Sequence, residues 1–471
     1  MAKRLNGVLG IDIGSRKIKV VELKTQGKGP VVSALAMIDT PEGAVDHTGV
    51  YNAEAVGIAL KQVLSQAGAS VPSAVISIAG QASVLVRTLE VPRMSPAELS
   101  EHMQWEINRN IPFAESNVLS DFKQLEDEDP NSPNMEVVMA ISPQSAVDTV
   151  VACVKKAGRQ MAAIDVQALS IARSLKVSYD DLYQDQTVCI VDVGHLTTSI
   201  NIYKNARLLL PRQVPVGGEM FTKAIADSMS VGVEEAELLK QQKCHVHPDL
   251  LQQSMSDAFT FGGGGGGDMG GAPGGGLTQE FQPYNPFAEE PAPVAQHVPE
   301  AEPAAEPVLV EEAPQEATGF YSPEAEEAGA PQPAEEPATF NPYADHPEPY
   351  GEHPGTVPAI PAPISTLDPE TQRINEAVAP ILEEFVAEVR RSLDYFRSKS
   401  GSVDRIALGG GASKLSGLAE TLAQVLGVPC DMYDPLRNLT ISGKRIEPDF
   451  VEEHRPDFLV AVGNGLHIFF D

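Results

Sequence analysis

Short apolar runs, separated by polar turn residues, open the chain in a pattern that returns about 180 residues later. The runs are rich in Val, Ile and Leu, which is typical of strands. They occupy residues 8–13, 18–24 and 31–37, and then residues 188–192, 199–203 and 207–211. Because helical and mixed segments follow each trio, the sequence predicts two similar α/β halves around a cleft.

A helical pattern lies in a smaller unit between the two halves, at roughly residues 75–140. Residues 95–98, Ser-Pro-Ala-Glu, have the spacing of a capping box and place proline at the first helical position. The following positions recur at helical spacing: Leu99, Met103, Ile107 and Asn110. The sole tryptophan, Trp105, is expected to pack in the core of this unit.

Each predicted half opens with an Asp-x-Gly turn between two strands, at residues 12–14 and 192–194. Glycine permits close backbone approach there, and backbone N–H groups, the Ser15 hydroxyl and the Lys17 ammonium suit phosphate oxygens. A carboxylate beside a phosphate is repulsive unless a cation separates them, so Asp12 and Asp192 imply Mg²⁺. The alternative is that each Asp-x-Gly is only a hairpin turn. The glycine run at residues 409–411 favours nucleotide binding over that alternative.

Composition narrows the possible functions. The net charge of −31 and the pI near 4.6 argue against nucleic-acid binding, which needs a basic surface. The four cysteines form no Cys-x-x-Cys pair, which favours a reducing cytosol. The sequence shows neither an apolar signal region at the start nor a run of 18 apolar residues, so we expect contact with a membrane only through partners.

Residues 255–365 differ from the rest of the chain. They contain 19 Asp and Glu residues and no Lys or Arg, begin with glycine runs and continue as a Pro-Ala-Glu tract. Such a composition cannot build a packed apolar core, so it predicts a disordered insertion. Two short motifs inside it, at residues 284–289 and 340–345, are either docking sites or drift in a biased tract.

Several motifs together resemble the PilM family of type IV pilus assembly proteins, within the actin-like ATPase superfamily. The resemblance covers residues 8–246 and about 368 to the end. It rests on these segments: Gly10 to Ser15, Val20 to Leu23, Trp105 with Glu106, Ile111 to Phe113, Val216 to Glu219, Glu388 to Phe396 and Ala461 to Leu466. The segments around Trp105 and Arg390 point most specifically to PilM.

The resemblance implies an actin-like α/β fold of two duplicated lobes around a nucleotide cleft. The first lobe is expected at 1–187, with a small α+β accessory subdomain at about 40–160. The second lobe is expected at 188–254 and 366–471, interrupted by the insertion at 255–365.

The resemblance also implies a binding site for ATP and Mg²⁺, with the metal held through water by Asp12 and Asp192. The matching positions for the nucleotide are Asp12, Gly14, Ser15 and Lys17 in the first loop, Asp192, Gly194, Thr197 and Thr198 in the second, Gly217 and Gly218, and Gly409, Gly410, Gly411, Ser413 and Lys414 near the C-terminus. Glu219 and Lys223, one helical turn apart, either contact the nucleotide or form an ordinary ion pair. Gln167 is the candidate catalytic residue, because residues 165–170 resemble the actin-like helix start that supplies one. An amide orients water but is a poor base, so turnover should be slow. The alternative is that Gln167 only packs at the hinge.

Two further groups of side chains, a histidine near the phosphate turns and a Cys-His cluster, are weaker candidates for a functional role. His195, in the second turn, adds charge near phosphate when protonated, but a lone histidine more often faces solvent. Cys244, His245 and His247 form a cluster that lacks a fourth zinc ligand nearby in the sequence.

As a function, the resemblance implies a cytoplasmic ATP-binding scaffold that binds the N-terminal peptide of the inner-membrane protein PilN. It would connect PilN to the pilus assembly and retraction motors and lie at the inner membrane through that partner. Slow ATP hydrolysis and a homo-oligomer are compatible with it. The alternatives are a polymer-forming division protein similar to FtsA and a small-molecule kinase, although the sequence offers no base for a substrate hydroxyl.

Overall fold

The computed structural model describes residues 5–27, 29–80, 82–113, 117–125, 131–179, 181–251 and 368–470. The predicted insertion at 255–365, with its two short motifs, lies outside the described residues.

The first lobe contains a six-stranded sheet in the order β14-β3-β2-β1-β4-β8. Its strands are β1 (Gly7–Ile13), β2 (Lys17–Gln26), β3 (Gly29–Asp39), β4 (Ser73–Ile78), β8 (Gln160–Val166) and β14 (Thr440–Ile441). Strands β1, β2 and β3 are antiparallel neighbours, whereas β4 and β8 continue the sheet in parallel. The buried strand residues meet apolar positions of two helices, α1 (Ala53–Ala67) and α3 (Gln144–Lys156).

The second lobe repeats this plan in a five-stranded sheet of order β11-β10-β9-β12-β13. Its strands are β9 (Thr187–Val193), β10 (Thr198–Lys204), β11 (Arg207–Val214), β12 (Arg405–Gly409) and β13 (Cys430–Met432). Again three antiparallel strands come first, and parallel strands follow beside β9. The prediction of two similar α/β halves is confirmed.

Further helices within the described residues are α2 (Pro96–Arg109), α4 (Gln167–Tyr179), α5 (Gly218–Met229), α6 (Val233–Lys243), α7 (Pro369–Ser400), α8 (Leu418–Leu426), α9 (Pro448–His454), α10 (Leu459–Gly465) and α11 (His467–Phe470). Two 3-10 turns cover Gly411–Lys414 and Arg455–Phe458. The long helix α7 begins at a cap in which the Asp368 carboxylate accepts hydrogen bonds from the Glu370 and Thr371 amides.

The accessory subdomain is smaller than the predicted 40–160. Its three-stranded sheet, ordered β5-β7-β6, consists of β5 (Leu85–Pro92), β6 (Val118–Gln124) and β7 (Asn134–Pro143), and helix α2 covers it. Because α1 and α3 bury their apolar faces on the first lobe, the flanking residues belong to that lobe instead.

Helix α2 begins as predicted but places its tryptophan differently. The Ser95 hydroxyl accepts a hydrogen bond from the Glu98 amide while the Glu98 carboxylate accepts one from the Ser95 amide, so the capping box is confirmed. Leu99, Met103 and Ile107 are buried. The expectation that Trp105 packs in the core was wrong: it is 56% exposed, since it lies on the opposite face of the helix.

The two lobes exchange segments, which the predicted boundaries did not include. Helix α4, expected in the first lobe, packs with Tyr203 and other core residues of the second sheet. Conversely, β14 pairs with β3, and α10 contributes Ala461 and Val462 to a core with Val21 and Leu23. Most of residues 440–466 therefore pack in the first lobe, although they follow the second along the chain, while Leu459 and Val460 pack in the core of the second.

Two glycines permit this exchange. A Cβ on Gly10 would lie 2.0 Å from the Ala461 carbonyl oxygen, and one on Gly463 would lie 1.9 Å from the Ser170 carbonyl oxygen. The buried Asn464 amide then donates to the Ile11 carbonyl at 2.7 Å and accepts from the Ser170 hydroxyl at 2.5 Å. These contacts fix α10 and α4 behind the first hairpin.

Candidate functional site

A cleft of about 590 Å³ lies where the two hairpins meet the glycine turn that follows β12. Twelve of the predicted site residues line it: Asp12, Gly14, Ser15, Lys17, Gln167, Asp192, Gly194, Thr197, Gly218, Gly410, Gly411 and Lys414. Segments separated by hundreds of residues thus meet at one cavity.

The two Asp-x-Gly turns have matching geometry. The Gly14 amide donates to the Lys17 carbonyl at 3.1 Å, and the Gly194 amide donates to the Thr197 carbonyl at 3.0 Å. A Cβ on either glycine would approach the same carbonyl oxygen to 2.9 and 2.7 Å, respectively. Both turns therefore require glycine and hold the preceding aspartate at the cleft.

Lys19 is a cleft residue that the sequence analysis missed. Its ammonium lies 2.9 Å from the Asp12 carboxylate and is mostly buried. Burial opposes its charge, but the interaction with Asp12 outweighs burial and raises the pKa of Lys19. Lys17, which was predicted, instead pairs with Asp39 at 2.8 Å and is more exposed. The pairing of β1 with β2 places Asp12 opposite Lys19, and this strand register was the signal from which Lys19 could have been identified as a site residue.

Asp192 faces Asp12 across the cleft and has a perturbed pKa. Burial and the charge of Asp12 raise the pKa of Asp192 to about 6, against the opposing effects of Lys19 and of a hydrogen bond from Gln167. Gly410 adopts φ +83°, and a Cβ there would lie 2.4 Å from the Asp192 Oδ1 atom. The glycine turn therefore closes directly over this carboxylate.

The donor set fits Mg²⁺ with a phosphate. Asp12 and Asp192 offer hard carboxylate oxygens, and their repulsion, seen in the raised pKa of Asp192, is what a divalent cation relieves. The three glycine turns pack closely against neighbouring backbone and side-chain atoms, so they hold these carboxylates at the cleft. Among the described residues, no cluster of three or more His, Cys, Asp or Glu side chains forms a protein-only metal site.

A further wall of the cleft comes from α6 and was also missed. Glu237 and Lys240 line it, with their charged groups 2.7 Å apart. The Lys240 ammonium also donates to the Gly218 carbonyl at 3.1 Å, which ties α6 to the start of α5. On α5 itself, Glu219 and Lys223 form an ion pair at 2.8 Å and do not line the cleft.

Lys414 belongs to a small charged network at the opposite rim. Its ammonium lies 2.9 Å from the Asp457 carboxylate, which also meets the His454 imidazole at 2.7 Å. Burial opposes the ionised form of Asp457, but the contacts with His454 and Lys414 prevail and lower its pKa. Asp457 lines the cleft, and its distance along the chain from residue 414 hid it from sequence analysis.

Four other predicted residues have structural roles and lie outside the cleft lining. The buried Thr198 hydroxyl donates to the Val216 carbonyl at 2.7 Å, and the buried Ser413 hydroxyl donates to the Gly410 carbonyl at 2.6 Å. Gly217 and Gly409 permit close packing, since a Cβ would lie 2.4 Å from the His195 carbonyl oxygen and 2.7 Å from Leu459, respectively. They stabilise the turns that face the cleft.

His195 lines the cleft instead of facing bulk solvent. Burial lowers the pKa of His195, an effect that the nearby Glu219 only partly opposes. The neutral imidazole is therefore favoured near neutral pH.

The amino-acid sequence that builds this cleft matches a known protein family. The family model of the type IV pilus assembly protein PilM matches residues 10–250, just over half of the chain. The chain belongs to the PilM family. Its matched region runs from the first hairpin through the accessory subdomain to a few residues beyond α6.

Other similarities support the actin-like fold. A solved structure of a PilM-PilN type IV pilus biogenesis complex aligns with a TM-score of 0.66 and 23% identity and covers 100% of both chains. The family model of the cell division protein FtsA matches residues 189–463. FtsA of Bacillus subtilis is 30% identical over 115 residues, 24% of this chain, and FtsA of Neisseria meningitidis is 29% identical over 96 residues, 20% of this chain. These matches span about a quarter of the curated relatives' length.

Proposed function

We propose that the protein is an ATP-binding scaffold of type IV pilus assembly that binds Mg-ATP between its lobes. The observation that carries the proposal is the convergence of two Asp-x-Gly hairpins and one glycine turn on a single cleft. Two facing carboxylates beside backbone amides and lysines suit a metal-bound polyphosphate.

Each wall has a separate task in this proposal. Ser15 and Lys19 bind phosphate oxygens, with Lys17 at the outer edge, while Asp12 and Asp192 hold the hydrated cation. Gly218, Lys240 and Lys414 approach the nucleoside side. The bound Mg²⁺ supplies charge neutralisation of the phosphates. Gln167 orients a water molecule, and any turnover is slow because its amide is not a base.

The proposed partner is the N-terminal peptide of PilN, bound beside the accessory subdomain. Family membership motivates this proposal, as does Trp105, which is exposed with the Arg109 guanidinium 5.3 Å from its ring centre. No described helix is long and apolar enough to cross a bilayer. Because PilN is the proposed partner, we propose that the protein reaches the inner membrane, and the pilus motors, through partners.

Calorimetry with the full-length protein tests the nucleotide site and the partner peptide separately. Mg-ATP should bind saturably, and a peptide from the PilN N-terminus should bind in the presence or absence of nucleotide. Lack of Mg-ATP binding rejects the nucleotide site, whereas failure of the peptide alone rejects the partner assignment.

A second candidate is an FtsA-like polymer-forming protein, which the FtsA match over residues 189–463 favours. Electron microscopy of the protein with Mg-ATP distinguishes the two. Filaments would support polymerisation, whereas a dispersed protein that binds the PilN peptide would support the scaffold.

A further inference from the structure

Arg16 lines the cleft in the turn of the first hairpin, yet its partner belongs to the second lobe. Its Nη1 and Nη2 atoms donate to the two carboxylate oxygens of Glu234, each at 3.3 Å. Glu234 lies in the first turn of α6, the helix that also brings Glu237 and Lys240 to the cleft. The pair therefore links the proposed phosphate hairpin of one lobe to a cleft-lining helix of the other.

The contact between Arg16 and Glu234 is weak. Both distances exceed the roughly 2.7–2.9 Å of strong charge-assisted hydrogen bonds, and the two side chains are 42% and 81% exposed. Ion pairs this exposed contribute little to the stability of a fold. A stronger anion at the cleft can therefore replace Glu234 at little cost.

The neighbouring lysines are less suited to such an exchange. Lys19 is mostly buried against Asp12, and Lys17 points to Asp39 at 2.8 Å. Arg16 offers instead a planar fork of donors, which binds carboxylates and phosphates in the same bidentate geometry. Arg16 follows Ser15 in the same turn, and both residues line the cleft.

We propose that Arg16 senses the terminal phosphate of the nucleotide: its guanidinium exchanges Glu234 for the γ-phosphate of ATP and returns to Glu234 with ADP. This inference rests on the proposed nucleotide site and describes how the nucleotide bound there would control the contact between the lobes. The link between the lobes then depends on which nucleotide is bound, because ATP alone competes for Arg16. Helix α6 is released with ATP and held with ADP.

A double-mutant cycle on the full-length protein tests the exchange. Mg-ATP and Mg-ADP are titrated by calorimetry into wild type, Arg16→Ala, Glu234→Gln and the double variant. Arg16→Ala should lower the ratio of ATP to ADP affinity about tenfold or more, since a hydrogen bond to a charged group is lost for ATP alone. Glu234→Gln removes the competitor and should raise that ratio about two- to fivefold.

The double variant should match Arg16→Ala, because Glu234 influences the ratio only through Arg16. Glu54→Gln is the matched control: it removes a pair with Lys156 of similar exposure, 72% and 46%, away from the cleft. This control should leave the ratio unchanged.

Two outcomes separate this inference from the function on which it rests. Equal losses of ATP and ADP affinity in Arg16→Ala, or additive effects in the double variant, would overturn the exchange while leaving the nucleotide site intact. A wild-type protein that binds neither nucleotide would overturn the site itself.

Discussion

The side-chain amide of Gln167 donates a hydrogen bond to the Asp192 carboxylate at 2.6 Å, and so joins the start of α4 to the second hairpin. The contact favours the ionised carboxylate and opposes the effect of burial on the pKa of Asp192. It uses one of the two N–H donors of the amide, so the other N–H and the side-chain oxygen are the groups that can contact a water molecule.

Replacing Gln167 separates binding from turnover. We expect Gln167→Ala to retain Mg-ATP binding within a few-fold and to lower any phosphate release by about tenfold or more, since misplacing a reacting group can cost on the order of 10²-fold in rate. Phosphate release and calorimetry measure the two effects. Gln167→Glu is a second variant to measure, because it keeps the shape of the side chain and replaces the amide with a carboxylate. Turnover that is undiminished in Gln167→Ala would remove this residue from the mechanism.

Asp12 and Asp192 should each be needed for metal-dependent affinity. We expect Asp12→Ala and Asp192→Ala to weaken Mg-ATP binding by about tenfold or more, because each loses a charged partner of the hydrated cation. Titrations with ATP and EDTA serve as the control, since the loss should be smaller without metal. If both variants bind Mg-ATP as the wild type does, the cation is not held here.

The pKa of Asp192 predicts a specific pH dependence of stability. Because the folded-state pKa of about 6 lies above the ordinary 3.8, burial of the ionised group is unfavourable. The contribution of Asp192 to the free energy of unfolding is fully present below pH 3.8 and is lost as the pH rises through 6. The loss is about 3 kcal/mol, at 1.36 kcal/mol per unit of pKa shift.

Asp192→Asn removes this titration. Without nucleotide, the free energy of unfolding of the variant relative to wild type should therefore increase between pH 5 and pH 7.5. Denaturant unfolding at the two pH values measures the difference. Asp181→Asn, at an exposed ion pair, is the control. A constant difference between Asp192→Asn and wild type would contradict a raised pKa.

Trp105 should matter for partner binding and little for stability. Trp105→Ala removes an exposed side chain, so the free energy of unfolding should change by about 0.5 kcal/mol or less. Met103→Ala, two residues away in the buried face of α2, should cost about 2–5 kcal/mol. Affinity for the PilN N-terminal peptide should fall in Trp105→Ala. If that affinity is unchanged, the peptide does not use this face of the accessory subdomain.

The sequence by itself determined the elements whose signals are local. The two Asp-x-Gly hairpins, the glycine turn at Gly410 and the capping box of α2 follow from turn and cap chemistry within a few residues. The repeated trio of strands followed from apolar composition alone. These features were sufficient for the plan of two halves and for the turns that converge on the cleft.

Only the tertiary structure decided which side chains meet. Lys19 rather than Lys17 reaches Asp12 because of the strand register, and α6 rather than α5 supplies the charged wall because of how the two helices pack. The exchange of α4 and α10 between lobes and the exposure of Trp105 also depend on packing. The contacts of α4 and α10 join residues far apart along the chain, so no local pattern encodes them, whereas the contact of Lys19 with Asp12 depends on how two adjacent strands pair.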